Sequence, residues 1–177
     1  MKTLADNEKI AVITNRSGEQ GFSQQEFAQF VNAITGEYGE LITANNGGNQ
    51  TPGTTPVLST QWNANGLSSS GITPDHTTDT IAISNAGIYR AHAQFSFSGT
   101  VNAEFVLELY SSLNDTPIAT GIKTIRKLGG GGDVGSCSFI GYVQLLENDE
   151  IGVFVNSIAG GQQIVIEEAR LIIDRVV

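Results

Sequence analysis

The segment Gly87-Ile88-Tyr89-Arg90-Ala91-His92-Ala93-Gln94-Phe95-Ser96-Phe97-Ser98-Gly99 decides how the rest of the chain is read. Its odd positions, Tyr89, Ala91, Ala93, Phe95 and Phe97, are apolar, and Arg90, His92, Gln94, Ser96 and Ser98 between them are polar. Side chains alternate faces along a strand, so the pattern predicts a strand over 88–98 with one buried face and one wet face. A glycine stands at each end. Further strands are predicted at 57–62, 79–84, 103–110, 118–127, 137–146, 151–156 and 162–176. In 103–110 the apolar set is Phe105, Leu107 and Leu109; in 151–156 it includes Ile151 and Val153. Turn signals separate these runs: Asn85-Ala86-Gly87, Asn114-Asp115-Thr116-Pro117 and the glycine run 129–132. A polar loop is expected over 63–78. No helical period appears after residue 57, and many short strands with turn signals argue an all-β sandwich or barrel.

Upstream the pattern changes. Ser23-Gln24-Gln25-Glu26 has capping-box spacing, and Phe22 and Phe27 occupy the two positions of a hydrophobic staple. Phe27, Phe30, Val31 and Ile34 follow at helical spacing, and Gly36 is placed to end the run. The spacing predicts a helix over 24–35. A helix of about three turns is marginal alone in water. Its apolar side, Phe22, Phe27, Phe30, Val31 and Ile34, is therefore expected to dock on another chain, the alternative being its own domain. The Asn-, Gly-, Thr- and Pro-rich stretch 44–56 reads as a tether. The expected organisation is an N-terminal anchoring arm (1–43), a linker (44–56) and a C-terminal domain (57–177).

Composition narrows the classes of partner. With 18 acidic against 9 basic residues the formal net charge is −9, which disfavours nucleic acid and anionic membrane surfaces alike. No apolar run reaches the ~20 residues of a membrane span. The first residues lack the apolar core of a signal peptide, so synthesis in a host cytoplasm is expected. Asn15, Asn49 and Asn114 lie in glycosylation sequons, which are then chance matches. A single cysteine, Cys137, excludes an intrachain disulfide and reads as a buried mid-strand thiol.

Few residues carry a chemical signature. Gly130-x-Gly132-x-x-Gly135 matches the dinucleotide fingerprint in form, but a strand, not a helix, is expected to follow it. Asp75-His76-x-x-Asp79 could ligate a metal, and is more simply a solvated loop. His92 falls on the wet face, where a sheet surface or a subunit contact is the natural role. Asp115, Asp133, Asp149, Glu167 and Glu168 fall in or near turns, with no spacing that sets two carboxylates across a sugar and no calcium-loop pattern. The expectation is therefore no enzyme, no cofactor and no metal.

Gly87-Ile88-Tyr89-Arg90-Ala91 resembles the Gly-x-Tyr-x-Φ strand of the C1q/tumour-necrosis-factor jelly roll, with Ala91 where a bulky aromatic is usual. The segment 144–155 is similar to that family's Gly-Asp-x-Val hairpin, with Asn148 in place of the glycine. The family's Phe-Ser-Gly-Phe closing signature is absent from Ala169-Arg170-Leu171-Ile172-Ile173. The resemblance covers 57–177 and implies a jelly-roll β-sandwich that forms compact homotrimers. Related jelly rolls occur on bacteriophage virions as well as in secreted animal proteins. The functional expectation is a structural virion protein, a trimeric head decoration or cement protein gripping the capsid shell through its arm. A short tail fibre or receptor-binding tip, whose loops would bind a host surface glycan, is the first alternative. A secreted C1q-like ligand is the second.

Overall fold

The computed structural model of the chain describes residues 36–176. The helix expected at 24–35 and its docking residues Phe22, Phe27, Phe30, Val31 and Ile34 lie outside the described residues. The described part is all-β. Its twelve strands are β1 (Tyr38–Thr43), β2 (Asn49–Gln50), β3 (Val57–Leu58), β4 (Ala64–Ser68), β5 (Ile72–Asp75), β6 (Thr80–Ile83), β7 (Gly87–Gly99), β8 (Glu104–Ser111), β9 (Ile118–Lys127), β10 (Gly135–Leu145), β11 (Glu150–Ser157) and β12 (Ile164–Arg175). They form two antiparallel sheets. Sheet one runs β10-β7-β12-β1-β4 with β2 on β12, and sheet two runs β5-β6-β11-β8-β9 with β3 on β11.

The core lies between the sheets. Tyr89, Phe95, Phe97, Phe105, Leu107, Leu109, Ile151 and Val153 are all buried there. Their alternate-residue spacing places them on the inward faces of β7, β8 and β11. Phe97 of sheet one meets Phe105 of sheet two edge to face, with ring centroids 5.9 Å apart. Trp62 and Phe139 flank Phe95 at 6.2 and 5.9 Å. Asn148 turns the hairpin between β10 and β11 with φ of 68°, the left-handed region that asparagine tolerates better than most residues.

The jelly roll starts earlier than composition suggested. Strand β1 is an interior strand, paired with β12 on one side and β4 on the other. Its inward positions are Gly39, Leu41 and Thr43, only one of them large and apolar, so the alternation is hard to see in sequence. Gly39 backs onto the Ile72 side chain, which leaves no room for a Cβ. The expected linker 44–56 is a strap on the sandwich. The Asn46 and Gly47 amides donate to the carbonyls of Glu167 and Ile166 at 2.9 and 2.8 Å. Asn49 and Gln50 pair antiparallel with Val165 and Ile164 of β12. A tether composition marks the absence of side chains to bury, but backbone amides can bond a sheet without them.

Two further corrections fall between 57 and 78. The strand expected at 57–62 is limited to Val57–Leu58, because Ser59 and Gln61 turn inward as buried polar groups. Gln61 accepts from the Ile166 amide at 2.7 Å and so caps part of β12. The polar loop expected at 63–78 holds strands β4 and β5. β4 is Ala-Asn-Gly-Leu-Ser and edges sheet one, so neither of its faces needs an apolar set.

A buried polar cluster ties the chain ends of the sandwich together. Glu37 is 4% exposed. It accepts from Asn85 Nδ2 at 2.9 Å and pairs with Arg175 at 3.3 Å. The Tyr89 hydroxyl donates to the Asn85 carbonyl at 2.5 Å and lies 3.5 Å from Glu37. Burial, with the neighbouring Glu37 charge, pushes the Tyr89 phenol up to about 12. Tyr89→Ala empties a fully buried site and strips a partner from this cluster. Urea unfolding is expected to show a loss of about 3 kcal/mol or more; a loss within the ordinary surface range would overturn the placement.

Candidate functional site

Residues of β7, β10 and β12 alternate, so each sends one set inward and the other onto the outer face of sheet one. The register aligns these outer residues in rows. Ile140 of β10 and Ile172 of β12 stand directly on either side of His92, and Glu40 of β1 lies beyond Ile172. The next row is Tyr142, Arg90, Asp174 and Tyr38, and the row on the other side is Ser138, Gln94, Arg170 and Ile42. Cross-strand neighbours on one face touch, so these rows form a continuous surface.

That surface is unusually apolar at its β10 end. Ile140 and Tyr142 are each 67% exposed. Two ion pairs lie on the face: Arg90 meets Asp174 at 3.0 Å and Arg170 meets Glu40 at 3.1 Å. The Asp174 carboxylate raises the Arg90 guanidinium further above its ordinary value. Beside the His92 row the face dips into a groove of about 740 Å³ lined by Ile42, Gln94, Ser96, Ser138, Glu168 and Arg170. Such a dip suits a convex edge.

The sandwich also has an open side. β10 ends sheet one and β9 ends sheet two, and the two pass close to each other. A Cβ on Gly141 would lie 2.8 Å from Ile122, so glycine is what lets the strands approach there. No residue of β9 is buried. Ile118 and Ile125 are 56% and 54% exposed. β9 is guarded by Lys123, Arg126 and Lys127, whereas the 11 residues of β10 include no charge. Exposed edge strands normally carry charge, proline or a bulge that prevents pairing with another chain. β10 is thus an uncharged edge, with Ile140 exposed on it and Ile118 and Ile125 exposed on neighbouring β9.

The other residues marked in the sequence fall elsewhere. Gly130, Gly132 and Gly135 belong to the turn between β9 and β10 and lead into a strand, so no helix N-terminus stands there to receive a phosphate. Asp75 accepts from the Thr77 hydroxyl and amide, and these bonds hold its carboxyl below the usual range. His76 Nδ1 lies 3.1 Å from Asn65 Oδ1. Among the described residues no three His, Cys, Asp or Glu side chains are grouped to hold a metal ion. Cys137 is half-buried and faces inward, and burial pushes its thiol up. Asp133 and Asp149 brace turns through the Gly129 and Leu146 amides at 2.6 and 2.7 Å. Asp115 lies in the exposed turn between β8 and β9. Glu167 accepts from the Ser98 hydroxyl at 2.6 Å, and Glu168 is exposed on the outer face.

No protein-family model and no curated protein matches the chain. Solved structures do. Murine APRIL aligns with a TM-score of 0.57 at 16% identity, covering 80% of this chain and 99% of that one. Eiger TNF from S. frugiperda aligns with a TM-score of 0.54 at 10% identity, covering 80% and 93%. The fold is a TNF-like jelly roll. The identities are too low to carry more than the fold.

Asp79 is an unassigned oddity of this sandwich. It has φ of 61°, is 9% exposed, and its Oδ1 has no hydrogen-bond partner. Burial raises its carboxyl above the ordinary value. The folded chain then holds that proton more tightly than the unfolded one, so this contribution is present at low pH and is lost as pH rises through the folded value. Asn accepts the same backbone and carries no charge. Asp79→Asn is expected to stabilise the fold by about 1 kcal/mol at neutral pH. The gain should shrink towards zero near pH ~3.5, below the unfolded carboxylate value. Thermal melts across pH check this, and a gain independent of pH would overturn it.

Proposed function

We propose that the chain is a homotrimeric structural protein of a bacteriophage surface, a head decoration or cement protein. In this reading the N-terminal segment attaches it to the shell and the jelly roll projects. One observation carries the self-association: two unlike surfaces, the outer face of sheet one with exposed Ile140 and Tyr142 and the open β9–β10 side with exposed Ile118 and Ile125, meet at the uncharged strand β10. Two different patches suit a head-to-tail contact, which closes into a ring when the rotation allows. The likeness to TNF-type jelly rolls supports three as the number. Attachment rests on the amphipathic spacing of Phe27, Phe30, Val31 and Ile34. Three attachment segments on one trimer raise the effective concentration at matched sites without any new contact.

The fold likeness to Eiger TNF and APRIL favours one other reading, a ligand of the C1q/TNF kind. A tail fibre or receptor-binding tip keeps the same trimer and differs in location. Copy number separates the virion readings: a decoration covers the shell, and a fibre occupies few sites.

Ile140→Lys with Tyr142→Lys introduces charge at two exposed positions and should leave the monomer folded. Sedimentation is expected to show the native mass falling from three chains to one. A trimer that survives both lysines would place the interface elsewhere, and a wild-type monomer would end the trimer reading. Phe27→Asp with Phe30→Asp should abolish attachment to particles while the trimer mass stays unchanged. Attachment by that variant would remove the role given to the N-terminal segment.

A further inference from the structure

The middle of the outer face of sheet one holds an ionisable group in an apolar frame. His92 stands between Ile140 and Ile172 in register, and all three point to the same side of the sheet. We infer that His92 makes self-association pH-dependent: the assembly holds with a neutral imidazole and comes apart when the ring is protonated. The inference rests on the self-association reading and adds its regulation.

The groups that face His92 bear this out chemically. On its own strand, Arg90 is engaged by Asp174 of β12 at 3.0 Å. Across β12, Arg170 is engaged by Glu40 of β1 at 3.1 Å. On β10 the neighbours are Ile140 and, diagonally, the phenol of Tyr142 and the hydroxyl of Ser138. Both carboxylates near the ring are therefore already held by arginines. Covering the row with a second copy removes the water that would solvate an imidazolium. A buried charge without a partner is costly, whereas a neutral imidazole is a modest polar group. The open side that would do the covering carries Lys123, Arg126 and Lys127 on β9 and no carboxylate on either β9 or β10. The carboxylates beside it are already opposed by these cations: Glu108 of β8 lies 3.9 Å from Lys123, Asp133 lies 3.5 Å from Arg126, and Glu104 of β8 stands opposite Lys127 in register. The assembled state thus binds fewer protons than the separated chains, and association weakens as pH falls through the imidazole range.

The test uses the full chain in sedimentation at about pH 7.5 and about pH 5.5, on either side of the imidazole range. Circular dichroism at both values checks that the sandwich stays folded. Wild type is expected to associate about tenfold or more weakly at the acidic value, the factor that one pKa unit represents. In His92→Gln the ratio between the two conditions should fall to about one, whatever that variant's strength at neutral pH. His76→Gln changes the other histidine, in an exposed turn, and should keep the wild-type ratio. Equal association of wild type at both values, or the same acid loss in His92→Gln, overturns the switch while leaving the trimer standing. Absence of any assembly at either value overturns the switch and the self-association reading together.

Discussion

The pairing of β7 with β12 is the constraint on which the rest of the sandwich depends. The two strands run antiparallel from Ile164↔Gly99 to Arg175↔Tyr89, with one irregularity between Ile166 and Glu168. β7 in turn carries β10 over its length, from Gly135↔Phe97 to Leu145↔Gly87. A one-residue slip in either pairing would turn Tyr89, Phe95 and Phe97 outward and Arg90 and His92 into the core. Buried apolar faces therefore fix the register. The Glu37 cluster reinforces the same end, since it ties β12 through Arg175 to the chain just ahead of β1 and to the turn ahead of β7.

That register also creates the candidate surface. Residues 92, 140 and 172 become neighbours only because β10, β7 and β12 lie side by side. The inward half of each strand is spent on the core, so whatever the outward half carries must face water or another molecule. On most of sheet one the outward half is polar or consists of neutralised ion pairs. At β10 it is uncharged and includes exposed Ile140 and Tyr142, and β10 is also an edge. These two properties together favour a covering chain over simple solvent exposure, because unpaired strand groups and isoleucine side chains are satisfied by the same event.

The long strands were legible, most of them by alternation and β9 less cleanly, through Ile118, Ile122 and Ile125. β7, β8, β9, β10, β11 and β12 lie within a few residues of where their patterns placed them, and the Asn148 turn took the left-handed backbone its sequence suggested. The misreadings share a cause. β1 presents Gly39 and Thr43 inward, β4 is a small polar edge strand, and β2 is two residues bonded through the backbone. Each is held by hydrogen bonds to a neighbouring strand, with little hydrophobic signal of its own. His92 was legible as a wet-face residue with a surface role; the isoleucines that frame it were not.

By itself the sequence determined the all-β class and which side chains of the long strands enter the core. Alternation is a local property, set by the two-residue period of the extended chain. Only the tertiary structure decided that the jelly roll begins at residue 37, that the Asn- and Gly-rich stretch straps β12, and that His92 sits between Ile140 and Ile172. Those facts depend on which strands become neighbours and in what register. Closing two sheets around one core sets that arrangement across separations of 48 residues and more, beyond the reach of any local pattern.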